Sequence, residues 1–374
     1  MLDQDRIVRK EVALGQIRDI APPQGHIGLQ IAPFEPVDSD DVIFEYITPE
    51  VTGLVPARAE DAESELAQKD DSVGEGRASL IDWAEKLHYD ASDVTRYREY
   101  LAMAALAAGG STAFPLTAGR MTETMAAKFA KDRAGLRKKI DNRIEWLVLQ
   151  ALVEGVITYD DGKIKFSVDY QRPANQQDEA PAGGLWSLTT SDPIGDANAI
   201  IDTMFTAHGV TMGQGWCSRK VARSLLNSDR WAARSGMAST AGGGPVDPAY
   251  LIAGWSSEQV LAVFEAQTGI KLHVYDSVYR TRAIGSTTTV NNRFMADNKL
   301  VLLPKAEEIA ELEGGGVGFA KTLTSPHPEG DWQSGFYEWE QGTKDPWGQD
   351  VGAGIKAFPV FPYLEYTYVA TVLA

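Results

Sequence analysis

The chain has 374 residues, enough for two or three structural units, and 44% of them are hydrophobic, which allows a sizeable core and excludes wholesale disorder. A formal net charge of −17 and a pI near 4.8 make a surface that repels nucleic acid, which argues against a dedicated DNA-binding protein. The single cysteine, Cys217, excludes an intramolecular disulfide framework and fits a reducing compartment. No window approaches 18 uninterrupted apolar residues, and Asp3, Asp5, Arg6 and Arg9 open the chain without an apolar run behind them. Neither a membrane span nor a signal peptide is expected, and the chain reads as soluble and intracellular when made.

Residues 1–40 hold Pro22, Pro23, Pro33 and Pro36 and no useful helical or strand period, so they read as an extended arm that needs something else to lie on. Val42–Ile47 has the pattern of a strand. Val51–Val94 is rich in charge (Arg58, Glu60, Asp61, Glu63, Glu65, Lys69) and too polar for a core, which predicts a protruding two-stranded loop. Tyr97–Ala108 reads as a short apolar helix closed by Gly109-Gly110. The dominant element follows. From Thr117 to Glu154, apolar side chains recur at three-to-four spacing (Phe129, Leu136, Ile140, Ile144, Leu147, Val148, Leu152), predicting one long amphipathic helix. At about 1.5 Å per residue it would span roughly 55 Å. Gly135 is a place for it to bend or split, and Gly155 is placed to end it in the left-handed conformation. A basic stripe interleaves the apolar face: Lys128, Lys131, Arg133, Arg137, Lys138, Lys139 and Arg143.

Val156–Tyr159 and Ile164–Tyr170 alternate as strands around an Asp161-Gly162 turn. Residues 171–184 form a polar linker. Beyond it, Ser191-Asp192-Pro193 starts a helix, Ser218 precedes another over Lys220–Leu226, and Ser256 with Gln259 makes a capping box before Val260–Gln267, stopped by Gly269. Ile270–Tyr275 and Lys299–Leu303 are strand-like. The tail Phe358–Leu373, aromatic and β-branched, reads as a closing strand.

The search for chemistry yields no catalytic constellation. His26, His88, His208, His273 and His327 lack metal-ligand spacing, and the glycine clusters 242–244 and 314–316 continue into no phosphate-binding or dinucleotide motif. Cys217 reads as a buried structural thiol, although His208 is near in sequence. The carboxylate pairs Asp40-Asp41, Asp70-Asp71 and Asp160-Asp161 single out no glycosidase pair. Trp332, Phe336, Tyr337, Trp339 and Trp347 form an aromatic patch open to two uses, packing between lobes or subunits and stacking on sugars. The basic stripe is likewise open to a salt-bridging seam with a neighbour's carboxylates or to phosphate contact.

Several stretches resemble the major capsid proteins of tailed bacteriophages, in the branch typified by the phage lambda shell protein, major capsid protein E. They are Ile47-Thr48-Pro49-Glu50-Val51-Thr52-Gly53-Leu54 leading into Arg58-Ala59-Glu60-Asp61-Ala62-Glu63; Glu145–Glu154 followed by Gly155-Val156-Ile157-Thr158-Tyr159; Asp297-Asn298-Lys299-Leu300-Val301-Leu302-Leu303-Pro304; Glu338-Trp339; Lys344-Asp345-Pro346; and Pro362–Leu373. The likeness runs from about residue 40 to the end and is specific as an ensemble.

The resemblance implies the α+β shell fold shared by tailed phages, herpesviruses and encapsulins. Its parts would be an N-terminal arm (1–40), an extended β-loop (41–95), a peripheral domain with spine helix 117–154 and hairpin 156–170 (96–191), an inserted axial domain (192–325) and a return segment (326–374). It implies hexamers and pentamers closing an icosahedral shell around double-stranded DNA in the virion, assembled in the host cytoplasm, with no catalytic residue, cofactor or metal. A portal would be a partner, and the sequence leaves open whether a decoration protein binds. The region ahead of the loop is only about forty residues, where some relatives carry a cleaved scaffolding segment, so a separate scaffolding protein is expected. For such a protein the site residues are contact surfaces: Ile47, Leu54, Arg58 and Glu63 on the loop, Arg133, Arg137, Lys138 and Ile144 on the spine, and Trp339. The alternatives are an encapsulin-like compartment shell, a carbohydrate-binding protein or hydrolase built on the aromatic patch, and a DNA-organising protein using the basic stripe.

Overall fold

A computed structural model of the chain describes residues 10–47, 73–90, 92–93, 117–162, 164–178, 180–228, 256–282, 287–309, 319–344 and 347–374. The chain divides into two compact units. The first comprises Met1–Val42, Ser79–Val148 and Lys321–Pro359; the second comprises Ile43–Ala78, Leu149–Ala320 and Val360–Ala374.

The first unit is organised on a helix and a sheet. The helix is Thr117–Glu154, 38 residues in one continuous element, and its residues through Val148 belong to this unit. Gly135 neither splits nor ends it. In the sheet, Trp347–Val360 is the central strand, antiparallel to Phe336–Lys344 and also to Ile81–Asp90, while Phe34–Pro36 runs parallel to Lys321–Thr324. Ile81–Asp90 corrects the reading of residues 51–94 as too polar for a core. Leu80, Trp83 and Tyr89 are buried, and Tyr89 packs edge-on against Phe129 of the helix, ring centroids 4.8 Å apart. Charged neighbours on the other face of the strand hid this in the composition.

The arm is a second correction. Lys10–Arg18 is a helix and Gly28–Ile31 a single further turn. Ala13, Leu14 and Ile17 are buried, a stripe at one- and four-residue spacing too short to register as a period beside four prolines. In the central strand, glycines face aromatic rings: Trp339 pairs with Gly352, and Tyr337 with Gly354. A Cβ at Gly352 would overlap the indole of Trp339, and one at Gly354 would press on the phenol of Tyr337. Only glycine lets these rings lie flat across the strand.

The second unit contains the end of the long helix, closed at Gly155 with φ 69°. The helix has no basic residue in its last turn. Arg172 takes that role: its Nη1 donates to Val153 O at 3.1 Å, and its Nη2 donates to Leu152 O and, at 3.0 Å, to Thr367 Oγ1. Cation and orphan carbonyls meet there as a helix C-terminus favours. The hairpin Val156–Asp160 with Lys165–Asp169 follows as expected. The main sheet runs Gln177–Asp178, Tyr368–Thr371, Lys299–Pro304, Met212–Cys217, Lys271–Val274 in spatial order. Against it pack helices Pro193–His208, Arg219–Ser224 and Ser257–Thr268, around Trp186, Met204, Phe264, Leu300 and Val372. Their caps match the sequence signals: Asp192 accepts from Gly195 N–H, Ser218 from Val221 N–H, and Ser256 with Gln259 closes a full capping box. The tail is corrected as well. Trp347–Val360 ends at its start, and Pro362 and the turn Leu364–Tyr366 separate that strand from Tyr368–Thr371.

Asp41–Ile47 and Val73–Ser79 pair as a two-stranded ribbon. The expected helix at 97–108 and the glycine clusters 242–244 and 314–316 lie outside the described residues.

Replacing Gly352 by Val drives two methyls into the Trp339 ring. It is expected to lower stability by about 1–3 kcal/mol, the usual cost of overpacking. An unchanged denaturant midpoint would show that the ring is free to move aside.

Candidate functional site

The spine helix carries a row of charged residues at four-residue spacing: Arg133, Arg137, Asp141 and Glu145. All four are buried, between 1% and 3% exposed, on the same side as Phe129, Leu136, Ile140 and Ile144. A buried charge is tolerated only where it is paired and hydrogen-bonded. Each has such partners in the first unit. Arg133 Nε donates to Glu338 Oε1 at 3.0 Å and its Nη2 to Glu340 Oε1 at 2.6 Å. Gln349 Nε2 donates to Glu340 Oε2 at 3.2 Å. Arg137 Nε donates to Asp141 Oδ1 at 2.9 Å, its Nη1 donates to Ile17 O at 2.6 Å, and its guanidinium lies 3.3 Å from the centre of the Phe336 ring. Burial pushes the Asp141 carboxyl above the usual carboxylate range, and the Arg137 cation beside it opposes that shift. Glu145 accepts from the backbone N–H groups of Ile27 at 2.9 Å and Gly28 at 2.7 Å. One carboxylate thereby satisfies two amides at the start of the short Gly28–Ile31 turn.

The row fastens three segments to the spine: the Phe336–Lys344 strand through Arg133, the arm helix through Arg137, and the turn after it through Glu145. This revises the reading of the basic stripe. Arg133 and Arg137 are occupied by carboxylates and a carbonyl of their own chain. Lys139 pairs with Glu85 at 2.5 Å, and Arg143 stacks on Trp83 and Trp146 at 5.1 and 5.3 Å. Ile144 is 1% exposed, in the subunit's own core. Of the spine residues expected at a contact surface, Lys138 alone is exposed. Ile47 ends the Asp41–Ile47 strand; Leu54, Arg58 and Glu63 lie outside the described residues.

The aromatic patch is not one surface. Phe336 and Tyr337 are buried, whereas Trp332 and Trp347 are 72% and 46% exposed. Trp339 is half-buried against Tyr337, ring centroids 5.8 Å apart. Cys217 is a buried free thiol, pushed up to about 12 by burial, the opposite of what a nucleophile requires. Among the described residues no cluster of His, Cys, Asp or Glu is arranged to hold a metal ion, and no helix is long and apolar enough to cross a membrane.

A long spine helix, a two-stranded ribbon and two sheeted units make a mixed α+β architecture of the phage-capsid fold. The chain is similar to a putative prophage capsid protein from Escherichia coli CFT073, at 15% identity and TM-score 0.59 over 98% of this chain and 99% of that one. It is also similar to a phage-related protein from Bordetella bronchiseptica RB50, at 12% identity and TM-score 0.54 over 99% and 98%. No curated protein matches it by sequence. The chain belongs to the phage major capsid protein E family, whose model matches residues 15–312. It is a non-enzymatic major capsid protein of a tailed-phage head, resident in the virion capsid, that assembles into shells with itself.

Replacing Arg133 by Met leaves Glu338 and Glu340 buried beside each other without their cation. A loss of about 3–5 kcal/mol is expected, with part of it restored by Glu338→Gln and Glu340→Gln in the same chain. Chemical denaturation of the variants is the measurement, and a neutral Arg133→Met would refute the pairing.

Proposed function

We propose that the chain assembles as hexamers and pentamers that close an icosahedral head around double-stranded DNA. A separate scaffolding protein guides assembly and a portal takes one vertex. The observation that carries this is the family match across residues 15–312, and it favours a phage head over an encapsulin-like compartment. Closed shells use heterologous contacts, in which one surface meets a different surface on the next subunit. Loop residues Ile47, Leu54, Arg58 and Glu63, together with exposed Lys138 and half-buried Trp339, are the contacts assigned to neighbouring copies. Arg133, Arg137 and Ile144 are left out of that set because their own chain already covers them. The net charge of −17 suits a wall along which DNA slides without adhering.

The test is size-exclusion chromatography with negative-stain microscopy, on the protein alone and co-expressed with its neighbouring gene products. Capsomers or closed hollow particles are the expected outcome. A monomer under every condition would overturn the reading.

A further inference from the structure

We propose that Trp332, at the tip of the hairpin Pro326–Ser334, is an assembly anchor that seats against a second copy of this chain. The inference rests on the self-assembly reading above and adds a residue to it. Among the described residues Trp332 is the most exposed large hydrophobic side chain, at 72%. Its backbone is also unusual. Asp331 and Trp332 both lie in the left-handed region, at φ 58° and 56°. Aspartate tolerates that conformation, but a bulky side chain adopts it only when its surroundings impose it.

The surroundings do impose it. Trp332 N–H donates to His327 O at 3.2 Å, and Asp331 N–H donates to Pro328 O at 3.2 Å. From the arm helix, Arg18 donates to Gly330 O at 3.2 Å, to Gln333 Oε1 at 2.5 Å and to Phe336 O at 3.1 Å, while Lys10 Nζ reaches Asp331 Oδ1 at 2.5 Å. The His327 ring stacks on buried Tyr337, centroids 3.8 Å apart. The hairpin is thus braced on both sides of Trp332, yet the indole makes no ring contact among the described residues. A turn with no task beyond reversing the chain would place Gly or Asn at this φ. Here the fold holds a large aromatic side chain outward on a rigid mount, which reduces the ordering cost of binding.

The occupant follows from charge and from the shell. Copies carrying −17 each repel one another, so apolar contact is needed between them to outweigh that repulsion. Buried tryptophan is the residue type that most often supplies such an anchor. In a shell built of this chain, a second copy is the surface present all round each subunit.

The experiment uses wild type, Trp332→Ala and Trp332→Phe, each co-expressed with the neighbouring gene products. Particle yield is read by sedimentation and negative stain, and subunit folding by circular dichroism. The Trp332 fluorescence, taken as wild type minus Trp332→Phe, is titrated with acrylamide in free subunits and in particles. The expected result is a folded Trp332→Ala subunit with particle yield reduced about tenfold or more, substantial recovery with Phe, and Trp332 quenched in subunits but shielded in particles. Wild-type yield from Trp332→Ala would overturn the proposal, and so would equal quenching in both states, which would leave the indole in solvent in the particle. If Trp332→Ala does not fold, the quenching comparison decides by itself. Wild type that forms no particles would refute the self-assembly reading and the anchor with it.

Discussion

The first unit depends on the cost of burying four charges on one face of a helix. Arg133, Arg137, Asp141 and Glu145 are interleaved with Phe129, Leu136, Ile140 and Ile144, so they cannot leave the interior without exposing the apolar stripe. Arg137 and Asp141 pair with each other on the helix, and the other partners lie at fixed places on segments distant in sequence: Glu338 and Glu340, Ile17 O, and the amides of Ile27 and Gly28. Apolar packing alone would tolerate a shift of the arm along the helix. Directional pairs do not, because a displaced arm leaves a buried guanidinium or carboxylate unmatched. The polar row fixes register more than it adds stability.

For a shell subunit this has a consequence. The spine's most conspicuous charges act within the chain, so they are not available to pair with a neighbour's carboxylates. Polar pairs from Arg133 to Glu145 hold the middle of the helix, and Arg172 holds its last carbonyls. Between like-charged copies, contact must come from apolar groups and local ion pairs in spite of the net repulsion.

Much of this was legible in the sequence. The spine helix, its left-handed stop at Gly155, the hairpin after it and the capping box at Ser256 are local signals, written in spacing and in residues with special backbone preferences. The misreadings share a cause. The arm helix shows too few turns for a period to emerge, and the Ile81–Asp90 strand sits in an acidic context that masks its alternation. The Phe336–Lys344 and Trp347–Val360 hairpin shows in the sequence only as an aromatic patch, because the pairing of its rings with facing glycines is a long-range feature. The buried row was harder still. Charged residues on a helix are ordinarily solvated, and the partners beyond the helix that bury these lie 117 to 207 positions away.

The most direct test is a cryo-electron microscopy map of the assembled head at side-chain resolution. The account predicts that Arg133 meets Glu338 and Glu340, Arg137 meets Ile17 O, and Glu145 meets the Ile27 and Gly28 amides, all within one chain. A map in which these pairs bridge neighbouring chains, with the arm of one subunit lying on the spine of the next, would contradict it.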